Sequence, residues 1–172
     1  MTSDDEIYIP RNISIIAVLS SHLFLINSIF CIFYKQYAFA FILFAVYVTS
    51  ILYWTNVKYG PYKTIDSVLA VSAVIAALFS SRSFAPRSRI IFLSAIAIMI
   101  TAWTINDRIF YYQVMKHREK IEHRHFDDSY SWFSLEYTNP NTKERDWACY
   151  RSVCAHSLFV HILPTVTYMC CI

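Results

Sequence analysis

Three uninterrupted apolar runs constrain this chain before any motif is considered. Asn12 to Tyr34 extends 23 residues without a formal charge, Gln36 to Val57 extends 22, and Ser152 to Ile172 extends 21. A helix needs roughly 20 such residues to cross a hydrocarbon core of about 30 Å. Two shorter stretches complete the set, 15 residues from Ser67 to Ser81 and 17 from Ile90 to Asn106. The third spans once Lys63 and Asp66 lie at its entry, with the lysine snorkelling toward the headgroups. The expected fold is an all-α polytopic membrane helix bundle of about five spans, near residues 12–34, 36–57, 63–81, 90–106 and 152–172. With one polar loop of about 45 residues, 107–151, they form a single membrane domain over residues 1–172.

The placement of charge agrees. Residues 107–151 hold 16 of the 27 Lys, Arg, Asp and Glu side chains. Disordered, collagen-like and disulfide-scaffold classes are excluded by composition. A soluble two-layer domain could not shelter so many apolar runs. The acidic start (Asp4, Asp5, Glu6) and the length of the first run oppose a cleaved signal peptide, so the first segment reads as a retained helix. Neither end carries a lipidation signal. With the amino terminus inside, the inner regions carry 11 Lys and Arg against 4 in the outer loops. The positive-inside rule then puts the amino terminus in the cytosol and the carboxyl terminus outside or in a lumen.

Within the polar loop, Arg108 to Arg124 lacks glycine and proline and reads as a helical extension of the fourth span. Tyr130, Trp132, Phe133, Leu135 and Tyr137, ahead of the turn at Asn139-Pro140-Asn141, suit a short hairpin. The run His117 to His125 mixes both signs of charge and reads as a solvated face, weakly basic enough to rest on anionic headgroups. Its acidic residues also argue against nucleic acid binding. The cysteines (Cys31, Cys149, Cys154, Cys170 and Cys171) form no framework and read as small apolar residues.

In lipid, helices meet where side chains are small. Ser14, Ala17, Ser21 and Ser28 make such a line on the first span, and Ala70, Ala73, Ala77 and Ser80 make one on the third, headed by Asp66. Both lines are expected to face the bundle. Ionisable residues at membrane depth are costly and so are candidates for function. Here they are Asp66, His22, His156 and His161. A hydrogen bond to a neighbouring helix accounts for His22, and complementing the helix dipole accounts equally well for Asp66. Ser152 aligns with His156 and Ser157 with His161, each pair four apart. His156 and His161 are five apart, about 140° around an ideal helix, so they are expected to face different neighbours. Serial order puts Ser50, Tyr53, Trp54, Asp66, Ser152 and His156 on one membrane side, and a hydrogen-bonded Asp66–His156 pair is expected there, with Ser50 or Tyr53 as competing partners.

This order, a serine, an aromatic four residues later, an aspartate about a dozen further on and a late histidine-bearing helix, resembles the CREST superfamily of alkaline ceramidases and adiponectin-receptor-like proteins. The resemblance implies lipid amide hydrolysis at a zinc held by three histidines beside a serine and an aspartate. It would make Ser50, Asp66 and His156 the candidate catalytic residues, and Asp66, His156 and His161 the candidate metal residues. Trp54 and Ser152 stand where two of the family's histidines belong, and the family has seven spans, so the resemblance implies a degenerate member without the metal.

Three functional readings follow. The first is a non-catalytic multi-pass membrane protein acting through helix packing or partner binding. The others are a CREST-like metal-dependent lipid amide hydrolase, the only one that calls for zinc, and a channel or transporter subunit. Transporters usually show paired Gly/Pro interruptions, and Pro164 is the one interruption here. The expected partners are the lipid bilayer and a membrane protein or a second copy of the chain.

Overall fold

The computed structural model describes residues 9, 11–55, 61–118 and 142–172. The segments that carry the expected hairpin and most of the His117–His125 run lie outside the described residues, as does the Asn141 turn.

The described residues are helical and contain no strand. Helix α1 covers Arg11–Phe33, α2 covers Tyr37–Thr55, α3 covers Pro61–Ser80, α4 covers Pro86–Arg118, α5 covers Thr142–His156 and α6 covers Leu163–Cys171. A 3-10 turn, Ser81–Ser83, joins α3 to α4, and a π-helical segment, Ser157–Ile162, joins α5 to α6. Five helical stretches are long and apolar enough to cross a membrane: Asn12–Phe33, Tyr37–Thr55, Tyr62–Ser83, Pro86–Asn106 and Cys149–Cys171. The chain is a multi-pass membrane protein. Helix satisfies every backbone polar group within its own segment, which is what a lipid environment demands.

Local chemistry explains the helix ends. Pro61 and Pro86 open α3 and α4, where a missing N–H costs nothing. Helix α1 stops at a reversal in which Lys35 takes φ 60°. The Gln36 N–H then donates to Cys31 O at 2.9 Å and the Lys35 N–H to Ile32 O at 3.0 Å. This is the paired closure of a Schellman cap, with lysine in the place glycine usually takes.

The fourth and fifth spans run further than their apolar cores. Helix α4 starts ahead of Arg87 and Arg89 and continues to Arg118, well into the 107–151 stretch, while α5 begins at Thr142. Arg82, in the turn between α3 and α4, lies 4.7 Å above the Phe79 ring. Its guanidinium thus lies over the aromatic face, a cation–π contact.

The packing order is a ring. Helix α3 lies on α2, α2 on α1, α1 on the α5–π–α6 span, and that span on α4. Helix α3 returns to α4 chiefly through the 3-10 turn, which leaves a seam between them. The small-residue line on α1 is where this ring is tightest. Ser14, Ala17, Ser21 and Ser28 are all buried, and the Ser28 hydroxyl donates across to Ala40 O on α2 at 2.7 Å. Helix α3 behaves differently. Of its small residues only Ala77 is buried, while Ala70 and Ala73 are half-buried and line an internal cavity. The stripe faces inward, yet much of it meets open space rather than a neighbouring helix.

Candidate functional site

The cavity occupies the middle of the ring, with a volume of about 680 Å³. Its walls are mostly apolar, including Phe24, Leu43, Val71, Phe92, Met99 and Val160. Polar side chains gather toward the end formed by the close of α2, the start of α3 and the start of the fifth span. Ser50, Lys63, Asp66, Asn106, His156 and His161 all line it.

Asp66 is held from α2. Its Oδ1 accepts from the Ser50 hydroxyl at 2.7 Å and from the Thr49 hydroxyl at 2.9 Å. Among the described residues both hydrogen bonds fall on this one oxygen, leaving Oδ2 without a protein donor. The expected Asp66–His156 hydrogen bond is not formed. Ser50, foreseen as a competitor, takes the partner's place, because α3 lies directly on α2 and the two hydroxyls reach the carboxylate first. Both Asp66 and His156 still line the same cavity. Thr49 was the unforeseen member. It looks like one small residue in an apolar run, and its hydroxyl also approaches Ala45 O and Val46 O of its own helix.

The two late histidines overturn the expectation that they diverge. His156 Nε2 lies 3.2 Å from His161 Nε2, with the rings edge to face at 4.8 Å. The cause is the π-helical winding of Ser157–Ile162. A π turn closes i to i+5, so residues five apart come into line, whereas an α turn would separate them. The sequence signal was Pro164. Its missing N–H and its ring disturb the turn before it, toward the carbonyl of Val160.

The histidine pair is anchored to α1. His161 is 2% exposed, its Nδ1 lies 2.7 Å from Ser20 Oγ, and its ring packs on Phe24. The Ser20 hydroxyl lies 3.1 Å from Ala17 O. Ser20 thereby links the histidine pair to the α1 backbone. Trp54 packs on the His156 ring at 5.1 Å. It is fully buried, and its Nε1–H has no hydrogen-bond partner. The Ser157 hydroxyl is likewise buried without one. The α-type alignment of Ser157 with His161 is lost in the π turn.

The remaining candidates are structural. His22 is exposed, and its Nδ1 lies 2.9 Å from Val18 O in its own helix. It leans edge-on against Tyr47 of α2, not into a polar contact with that helix. Ser152 is buried and takes two contacts of 3.2 Å from Asn106 Nδ2, one on its carbonyl and one on its hydroxyl. This joins α4 to α5. All five cysteines are free thiols. A second polar node at the opposite end ties three elements: Ser80 and Tyr168 both donate to Gln36 Oε1, and their hydroxyls lie 2.8 Å apart.

A catalytic zinc takes about three protein ligands and an open position. Among the described residues no three His, Cys, Asp or Glu side chains gather into such a set. Only two imidazoles meet, and Trp54 and Ser152 supply no third nitrogen. The donor set does not fit the zinc site that the CREST resemblance implies. No family model matches the chain, and no curated protein or solved structure matches it either.

Proposed function

We propose that this protein binds a single-chain amphiphile in its central cavity, without catalysis. The observation that carries this reading is the division of the cavity wall. Apolar side chains from α2, α3 and α4 make up most of its wall, Asp66, Lys63, Asn106 and His156 gather at one end, and Asn27, Ser72, His161 and Thr165 add isolated polar groups further along. A cavity of this size, mostly apolar with a few convergent polar groups, is the usual form of a small-molecule site. The seam between α3 and α4 offers a chain entry from the surrounding lipid, since those helices meet closely only at their shared turn. This extends the partner-binding reading of the sequence by making the partner a lipid rather than a protein.

The orientation supported by the distribution of Lys and Arg puts the polar end near the cytosolic leaflet. A hydrolase reading keeps the Ser50–Asp66 pair in its favour but lacks a third histidine. A channel reading finds only isolated polar groups (Asn27, Ser72, His161 and Thr165) along a mostly apolar wall.

The test is occupancy. Protein purified in a mild detergent should carry a co-purifying single-chain lipid, identified by native mass spectrometry. Widening Ala70 and Ala73 together to Phe should remove it. Retention of the same lipid by that variant would contradict binding in the cavity.

A further inference from the structure

We infer that the cavity selects an amphiphile with a positively charged amine head, held by Oδ2 of Asp66. The inference rests on the cavity-binding reading above and adds the chemistry of the head.

The argument is one of charge and hydrogen-bond complementarity. Asp66 reaches the cavity with Oδ1 fully engaged by Ser50 and Thr49 and with Oδ2 receiving no donor among the described residues. A carboxylate withdrawn from water is unfavourable unless a counter-charge or further donors meet it. His156 lines the same cavity. An alkylammonium offers three donors and no acceptor. It therefore suits an end presenting a carboxylate oxygen, where an alkyl carboxylate would meet a like charge. Tyr53, Trp54 and Trp103 line the cavity too, and aromatic faces favour a cation close by. Lys63, one turn ahead of Asp66 on α3, is the one cation lining the cavity among the described residues, and it is not free.

The experiment uses the full chain in phosphatidylcholine nanodiscs. Three photoactivatable probes of equal chain length are compared: a primary alkylamine, the matching alcohol and the matching carboxylic acid. The amine is protonated at neutral pH. We expect it to label cavity residues on the order of tenfold more than the alcohol, as one charge-assisted hydrogen bond allows. The acid should label least.

Asp66→Asn isolates Oδ2. Its amide oxygen still accepts from Ser50 and Thr49, while an NH2 group replaces Oδ2. Amine labelling should fall to the level that the alcohol reaches in the same variant. The wild-type comparison stands even if that variant fails to fold. Equal labelling by amine and alcohol, or full amine preference in Asp66→Asn, would overturn the amine head while leaving the cavity reading intact. No labelling of cavity residues by any of the three probes would overturn both.

Discussion

His156 and His161 face each other Nε2 to Nε2 at 3.2 Å because the chain between them is wound as a π turn. The relationship joins a backbone irregularity to a side-chain network. On an α-helix, residues five apart would have Cα atoms about 8.7 Å from each other and about 140° out of line. The π segment instead delivers His161 to Ser20 on α1 while keeping His156 against Trp54.

Pro164 is expected to maintain this winding. In a background lacking the native cysteines, His156→Cys with His161→Cys should oxidise to an intrahelical disulfide. Disulfides do not bridge Cα atoms more than about 7 Å apart. Adding Pro164→Ala restores an N–H for the Val160 carbonyl and lets the segment rewind as α-helix, so the yield should collapse. The readout is the reduced mass of an alkylated peptide. Equal disulfide yield with and without the proline would show that the winding has another cause.

Asp66 is expected to hold α3 on α2. Asp66→Ala strands the Ser50 hydroxyl, which has no other acceptor among the described residues, and should cost about 1–3 kcal/mol. Thr49 can fall back on Ala45 O and Val46 O, so Thr49→Val should cost less than Ser50→Ala. Thermal unfolding in detergent would rank the three. A larger loss for Thr49→Val than for Asp66→Ala would contradict the assigned roles.

How much of this was legible follows the range of the interactions involved. The spans could be read from hydropathy, which is local. The α1 small-residue line could be read from spacing, because close helix packing in lipid selects small side chains. Ser50 meeting Asp66 followed from serial order, since the end of one span and the start of the next share a leaflet. The π turn escaped because an ideal helix was assumed across Pro164. The Gln36–Ser80–Tyr168 node escaped because it joins a cap to two distant helix ends, and nothing near Gln36 in sequence marks it.

The third expectation concerns packing on α3. Ala77 is 6% exposed, so Ala77→Leu should overpack the core and cost about 1–3 kcal/mol. Ala73 lines the same cavity but is only half-buried, so Ala73→Leu should cost less than Ala77→Leu and come close to Ile75→Leu, whose side chain is exposed. The sequence alone put Ala73 and Ala77 in one class. Detergent melting curves would separate them, and an equal loss for both would mean the space beside Ala73 is closed in solution.

The last expectation is orientation. A cytosolic position for the polar loop 107–151 follows from the excess of Lys and Arg on that side, and it fixes which leaflet the Asp66 end of the cavity faces. Asn141 lies just before α5, so a thiol there should be aqueous whichever way the chain inserts. In a cysteine-free background, Asn141→Cys should resist a membrane-impermeant maleimide in intact cells and react after permeabilisation. A thiol at Lys35, in the reversal between α1 and α2, should show the opposite pattern, because one crossing separates it from the amino terminus. The pair controls for reagent access, since one site reacts in either orientation. If Asn141→Cys labels in intact cells and Lys35→Cys does not, the bundle is inverted and the polar end of the cavity faces the outer or luminal leaflet.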